Sequence, residues 1–154
     1  MTPQRLVPSA LVCAAALFAA GCGGDDSSTT TIRLIEHAET DTVQHIGPAN
    51  EEDSRGDVLA FANPVFDSTN KTKEGSDNGA CIRTDPGKAW ECFWTVTLSA
   101  GQITVDGPFY DGGKDSTLAI TGGTGEYSDA RGQMQLHARN PEETEYDFIY
   151  EIEQ

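Results

Sequence analysis

Positive charge is what this chain has least of. Ten Lys and Arg stand against 25 Asp and Glu, a formal net charge of −15 over 154 residues. So acidic a chain excludes nucleic acid as partner, because phosphates must be neutralised by Lys and Arg. A solvated acidic coat, a cationic partner or a calcium site remain. The acids and amides of Asp67 to Asn78 lack the oxygen-ligand spacing of a calcium loop, so no metal is expected there. A helical period is missing too, which leaves strands as the main element. Also missing is any phosphate-binding signature. The glycine-dense run GGTGEYSDARG, Gly122 to Gly132, has no G-x-G-x-x-G, no lysine in Walker position and no helix after it. Its Gly122, Gly123 and Gly125 are expected to supply positive φ angles at a corner between two strands.

The N-terminal apolar run, Leu6 to Ala20, is relieved only by Pro8 and Ser9. It is too short and too rich in small residues for a spanning helix, and with Arg5 before it reads as an export signal. It closes on Ala19-Ala20-Gly21-Cys22, and small residues directly before a cysteine resemble the bacterial lipobox. Cys22 is then the lipidated new N-terminus; a plainly cleaved secretory peptide is the alternative. The expected division is a signal over 1–21, the lipidated cysteine and a flexible tether over 22–31, and a β domain over 32–154. The expected location is extracytoplasmic, anchored to a membrane of the bacterial envelope, since roughly 0.8 kcal/mol accrues per buried methylene.

In an oxidising compartment Cys81 and Cys92 read as a cross-strand disulfide. Pro86 and Gly87 suit the centre of a turn, and with them there paired positions sum to 173, setting Cys81 opposite Cys92. A reactive Cys81 thiol is the rival reading.

Alternation marks the strands. Ile32 to Glu39 carries Ile32, Leu34 and Glu36 on one face. A loop from Asp41 to Arg55 follows, with His45 solvated in it. Gly56 to Phe66 carries Leu59, Phe61 and Asn63 together, with Pro64 ending the pairing or marking an edge. After the polar loop of Asp67 to Asn78 come Ala80 to Thr84, Ala89 to Leu98 and Gln102 to Phe109. Thr117 to Thr121, Gly132 to Ala138 and Glu145 to Ile152 complete the set. About eight strands with short connections predict an all-β fold, an eight-stranded antiparallel closed barrel that removes exposed edges, or else a sandwich.

The run AITGGTGEYSDARGQMQLH resembles the signature of the allene oxide cyclase and dirigent superfamily. GDVLAFANPVF, the Gly79-Ala80-Cys81 triplet and VDGPF fall in matching order, so the similarity covers about Gly56 to Tyr150. The resemblance implies an eight-stranded barrel, usually a trimer, that works without a cofactor. Its cyclases fold a reactive allene oxide inside an apolar barrel, aided by a first-strand carboxylate and an asparagine-held water. Its dirigent proteins steer radical coupling, with acidic residues handling protons. Carried over, Asn63 matches the asparagine and Glu36 the carboxylate as catalytic candidates. Cys81 falls at a cyclase pocket cysteine, and Phe109 stands where the cyclases have tyrosine.

With Glu36 and Asn63 pointing inward, parity lines the barrel with Leu34, Leu59, Phe61, Trp94, Val105, Phe109, Phe148 and Tyr150. An apolar lining with one acid and one amide is the make-up of a small-molecule pocket. Three functions follow: an envelope-anchored barrel binding a small hydrophobic molecule, a cofactor-free isomerase, cyclase or stereochemical guide using Glu36 and Asn63, or a structural module filled by its own core. His37, His137, Asp57 and Arg131 are expected to be surface or corner residues.

Overall fold

A computed structural model describes residues 28–153. Nine strands follow in order: β1 Thr29–His37, β2 Thr42–Gln44, β3 Val58–Asp67, β4 Lys73–Asp85, β5 Ala89–Leu98, β6 Gly101–Tyr110, β7 Ser116–Gly125, β8 Arg131–Ala138 and β9 Glu145–Glu153. From β3 to β9 each strand pairs antiparallel with the next. β1 closes the ring, pairing with β9 along its whole length and with β3 through Leu34–Asp67, Ile35–Phe66 and Glu36–Val65. Lower on the same edge of β3, β2 pairs with Val58 to Ala60. β1 and β2 are therefore one stave interrupted at residues 38–41, and the barrel has eight staves.

Alternation builds the wall. On β5, Trp90, Cys92, Trp94 and Val96 are buried while Glu91, Phe93 and Thr97 face out; on β9, Tyr146, Phe148, Tyr150 and Ile152 are buried. The middle of the barrel is filled by these side chains, as eight staves allow. The Trp94 indole stacks on Phe148 with centroids 5.5 Å apart, meets Phe61 edge-on at 6.1 Å, and directs Nε1 at the Tyr150 hydroxyl, 3.5 Å away.

Three boundaries differ from the sequence reading. Thr29–Thr31, expected as tether, pair with Glu151–Glu153. Residues 73–78, expected as loop, form the first half of β4 because the backbone pairs with β3 on one side and β5 on the other. Polar side chains hid that strand. Finally, the expected corner glycines lie within β7, which passes a register shift opposite Thr104 and Val105 and turns only after Gly125. Gly122 and Gly125 do have positive φ, 150° and 63°, but Gly123 does not. It is needed for space, since a Cβ there would meet the carbonyl oxygens of Gln102 and Tyr127.

Cys81 and Cys92 face each other in the β4–β5 ladder and are bonded, so the free-thiol reading of Cys81 falls. The bridge closes a separation of 11 residues. Such a loop restricts the unfolded chain by about 3 kcal/mol. Replacing both cysteines by serine should lower the unfolding free energy by roughly 2–3 kcal/mol with little change in the urea slope, read from equilibrium urea curves.

Candidate functional site at the barrel mouth

One end of the barrel, where β1, β4, β6 and β8 finish, carries the gap between β1 and β2. At that gap the backbone N–H groups of Glu39 and Thr40 have no strand partner. Asn63 supplies one: its Oδ1 accepts from Glu39 N at 3.0 Å, Thr40 N at 2.9 Å and Thr40 Oγ1 at 3.0 Å. Thr40 Oγ1 in turn accepts the Ala62 N–H at 2.7 Å. Three donors on one oxygen fix which way the amide faces. Its Nδ2 must point inward, where it donates to Glu36 Oε1 and to Asp41 Oδ1, the latter at 2.7 Å. The structure thus brings together Glu36 and Asn63, 27 residues apart in sequence.

Glu36 is 3% exposed and Asn63 1%. A third polar residue lies deeper. Asp77, directly across the ladder from Asn63, is fully buried, and neither of its carboxylate oxygens has a hydrogen-bond partner. The backbone N–H groups of Asp77 and Asn63 face it and moderate its rise, though not in hydrogen-bond geometry. Burial, reinforced by Asp41, pushes the Asp77 carboxyl up to about 7. Burial, followed by the charges of Asp77 and Asp41, pushes Glu36 up to about 9 against the opposing pull of Asn63. Glu36 is therefore a neutral acid at pH 7, and its Oε2 has no partner.

Above this group opens a cavity of about 50 Å³ lined by Glu36, Asp41, Leu59, Phe61, Asn63, Cys81, Phe109, Leu136 and Tyr146. That is room for a few waters or a compact chemical group. Phe109 and Tyr146 meet edge to face across it, centroids 6.0 Å apart. Larger depressions lie on the outer wall, one of about 450 Å³ among Thr29, Gly132, Gln133, Glu151 and Glu153, but its lining is exposed or half-buried and holds no buried carboxyl. Of the residues predicted to line a pocket, Leu59, Phe61 and Phe109 do so. Trp94, Val105, Phe148 and Tyr150 lie in the packed interior instead, and Leu34, itself part of the core, borders a separate depression of about 320 Å³ with Ile32, Leu98 and Tyr127. Cys22 lies outside the described residues.

The neighbouring half of the mouth is closed. Arg83 ion-pairs with Asp53 and Asp111, each at 2.6 Å, and lies 3.8 Å over the Trp90 ring. Trp90 Nε1 donates to Asp111 at 3.1 Å. Asp57, expected at the surface, is fully buried. It accepts the Ile46 N–H at 2.8 Å and the Ser54 N–H at 3.0 Å, and those two amides lower its carboxyl to about 2. His45, expected in solvent, is half exposed but holds the same carboxylate at 2.8 Å. The loop between β2 and β3 is thereby pinned over the barrel. His137 does sit in solvent, bonded to Asp115. His37 stacks on Phe66 and bonds Asn70 at 2.7 Å on the outer wall.

Asp77, Asp41, Arg83 and Asp57 are the mouth residues that sequence reasoning missed. Parity held a signal for one of them: counting back from Cys81, an extended β4 puts Asp77 on the inward face. Among the described residues, no group of His, Cys, Asp and Glu is arranged to hold a metal ion.

A model of the allene oxide cyclase barrel-like domain matches residues 32–150. The chain belongs to that family. Among solved structures, a pyocyanin demethylase is similar at 26% identity and TM-score 0.65, over 79% of this chain and 100% of that one. A pterocarpan synthase dirigent protein is similar at 16% identity and TM-score 0.65, over 81% and 93%. An exo-specific intermolecular Diels-Alderase is similar at 13% and 0.66, over 82% and 99%. The last two share the fold, and that is what their similarity carries.

Because Glu36 keeps its proton in the folded barrel up to about pH 9 while the unfolded chain loses it near 4.5, the folded state holds more protons across that window. Stability from this group is therefore fullest below pH 4.5 and falls as pH rises toward 9. Glu36→Gln keeps an acceptor for Asn63 and removes the titration. It should melt higher than the parent by on the order of 5 °C at pH 8, with the gap closing toward pH 4.5, followed by circular dichroism. Asn63→Leu should cost at least about 2 kcal/mol in urea unfolding, since it leaves the Thr40 amide unpaired and takes the donor from Glu36, while the Glu39 amide keeps the His37 carbonyl.

Proposed function

We propose that the protein is an envelope-anchored barrel that receives a small, largely apolar molecule at its mouth, and that Glu36 lends and recovers a proton during a cofactor-free rearrangement of that molecule. One observation carries the reading: a buried carboxyl, held protonated and with one oxygen unpartnered, in the wall of a cavity whose apolar lining is Leu59, Phe61, Phe109, Leu136 and Tyr146. A general acid has to be protonated at working pH and shielded from bulk water, and Glu36 is both at neutral pH while lining the cavity. The proton passes from Oε2 to an oxygen or carbon of the bound molecule. The carboxylate left behind is stabilised by Asn63 Nδ2, and a proton returns from another position of the same molecule, so the step is an isomerisation with no net loss. Asn63 holds the acid in place and gives it a hydrogen bond that strengthens as it ionises.

The reading is supported by membership of the allene oxide cyclase barrel-like family, and structures of the same fold include a demethylase, a dirigent protein and a Diels-Alderase. These names have in common small organic molecules as substrates. Binding without chemistry is the second reading, supported by the same apolar walls. Glu36→Gln separates the two: with a lipophilic epoxide or polyene turned over by the parent, turnover should fall by two orders of magnitude or more while affinity changes less than about threefold. Unchanged turnover in that variant would sink the catalytic role.

The anchor rests on Ala19-Ala20-Gly21-Cys22. Cells fed a labelled fatty acid should incorporate label into the parent protein and none into Cys22→Ala, which should appear in the soluble fraction. Equal labelling of the two would overturn the lipid.

A further inference from the structure

The mouth holds more carboxyl groups than its surroundings can pair. Glu36 and Asp41 line the cavity, Asp77 lies buried behind Asn63, and the lining contains no Lys, Arg or His. Of the arginines of this end, Arg83 and Arg139 are held by acids of their own, Asp53 and Asp111 for the first and Glu145 and Asp147 for the second, and Arg55 is exposed on the β2–β3 loop outside the cavity lining. Glu36 Oε2 and both Asp77 oxygens remain without a partner. Unpaired buried carboxyls destabilise a fold. Here Glu36 lines a cavity that also presents aromatic walls, Phe61, Phe109 and Tyr146. Aromatic faces attract cations, and carboxyls beside them complete the usual setting for a nitrogen cation wrapped in methyl groups or ring carbons.

Building on the second reading above, binding without chemistry, we propose that the molecule received at the mouth is an organic cation, a quaternary or N-alkylated nitrogen set in an apolar frame, with Glu36 and Asp41 as its counter-charges. The charged head occupies the cavity and the remainder of the molecule lies in the opening past Asp41. A carboxylate or phosphate ligand is disfavoured by the same charges, whose repulsion is strong where water is excluded.

Binding is then coupled to a proton. The groups facing Glu36 are Asp77 on β4, Asp41 and Glu39 in the link after β1, Tyr146 and Tyr150 on β9, and the uncharged Asn63 on β3. None is a cation, so Glu36 keeps its proton at neutral pH. A positive nitrogen beside it favours the ionised form, so a proton leaves for solvent as the ligand enters and affinity rises with pH.

Three molecules of one shape and different charge test this: choline, 3,3-dimethylbutan-1-ol and 3,3-dimethylbutanoate, titrated into the protein by calorimetry. The titrations are run at about pH 6 and about pH 8.5, in two buffers of different ionisation enthalpy. Choline is expected to bind about tenfold tighter than the alcohol at the higher pH, with the gap narrowing at the lower, to release protons, and to leave the butanoate unbound. Glu36→Gln, checked as folded by its melting curve, should lose most of the proton release and of the pH dependence. Alcohol binding as tight as choline, or choline binding without proton release, overturns the cation assignment while leaving the pocket in place. So does entry of the neutral dye Nile red when none of the three binds. Exclusion of every probe, Nile red included, overturns the pocket along with it.

Discussion

The barrel closes across a break in its first stave, and one amide side chain holds that break together. Asn63 does on one side what a strand would have done, taking the N–H groups of Glu39 and Thr40, and so has its Nδ2 left to turn inward. Everything distinctive about the mouth depends on this division of labour. The chain can leave β3 early enough to open a cavity because its amides are still satisfied. Glu36 can be buried without a cation because a donor is fixed against one of its oxygens. Asp41 is brought to the rim by the same donor.

The fold was legible because its signal is distributed. Period-two alternation along β5, β6, β8 and β9, the Pro86-Gly87 turn and the Cys81–Cys92 pairing each point to the same antiparallel meander, and the glycine run adds the family. Glu36 and Asn63 were legible through that family resemblance together with inward parity. What escaped was set by neighbours. Lys73 to Asn78 carries no apolar alternation and is extended only because two strands flank it, so Asp77 looked like a loop acid. Asp57 looked like a surface or corner residue and is a buried anchor, because its partners are backbone amides 3 and 11 residues away that no pattern marks. Pocket depth escaped for another reason. Parity tells which side chains face in but not whether they meet, and Trp94, Phe148 and Tyr150 meet.

The interior is thus two-layered. Its lower part is an aromatic and aliphatic core, and its upper part a shallow chamber where acids replace hydrocarbon. Burying acids beneath a loop is a costly arrangement for stability, and the disulfide in the adjoining wall together with the Arg83–Trp90–Asp111 network stiffens the side that does not open. Rigid wall on one side and a hydrogen-bonded gap on the other leave the link between β1 and β2 as the natural place for a ligand to pass.

The direction of β1 has a topographic consequence. The chain enters the barrel at Thr29, beside Glu153, and reaches Glu36 seven residues later, roughly 23 Å along the strand. A lipid on Cys22 would therefore hold the barrel by its far end, with the acidic mouth turned away from the bilayer. Held so, the protein would sample what is dissolved in the surrounding fluid rather than what is partitioned in the membrane, and such a lipid would station it, not feed it.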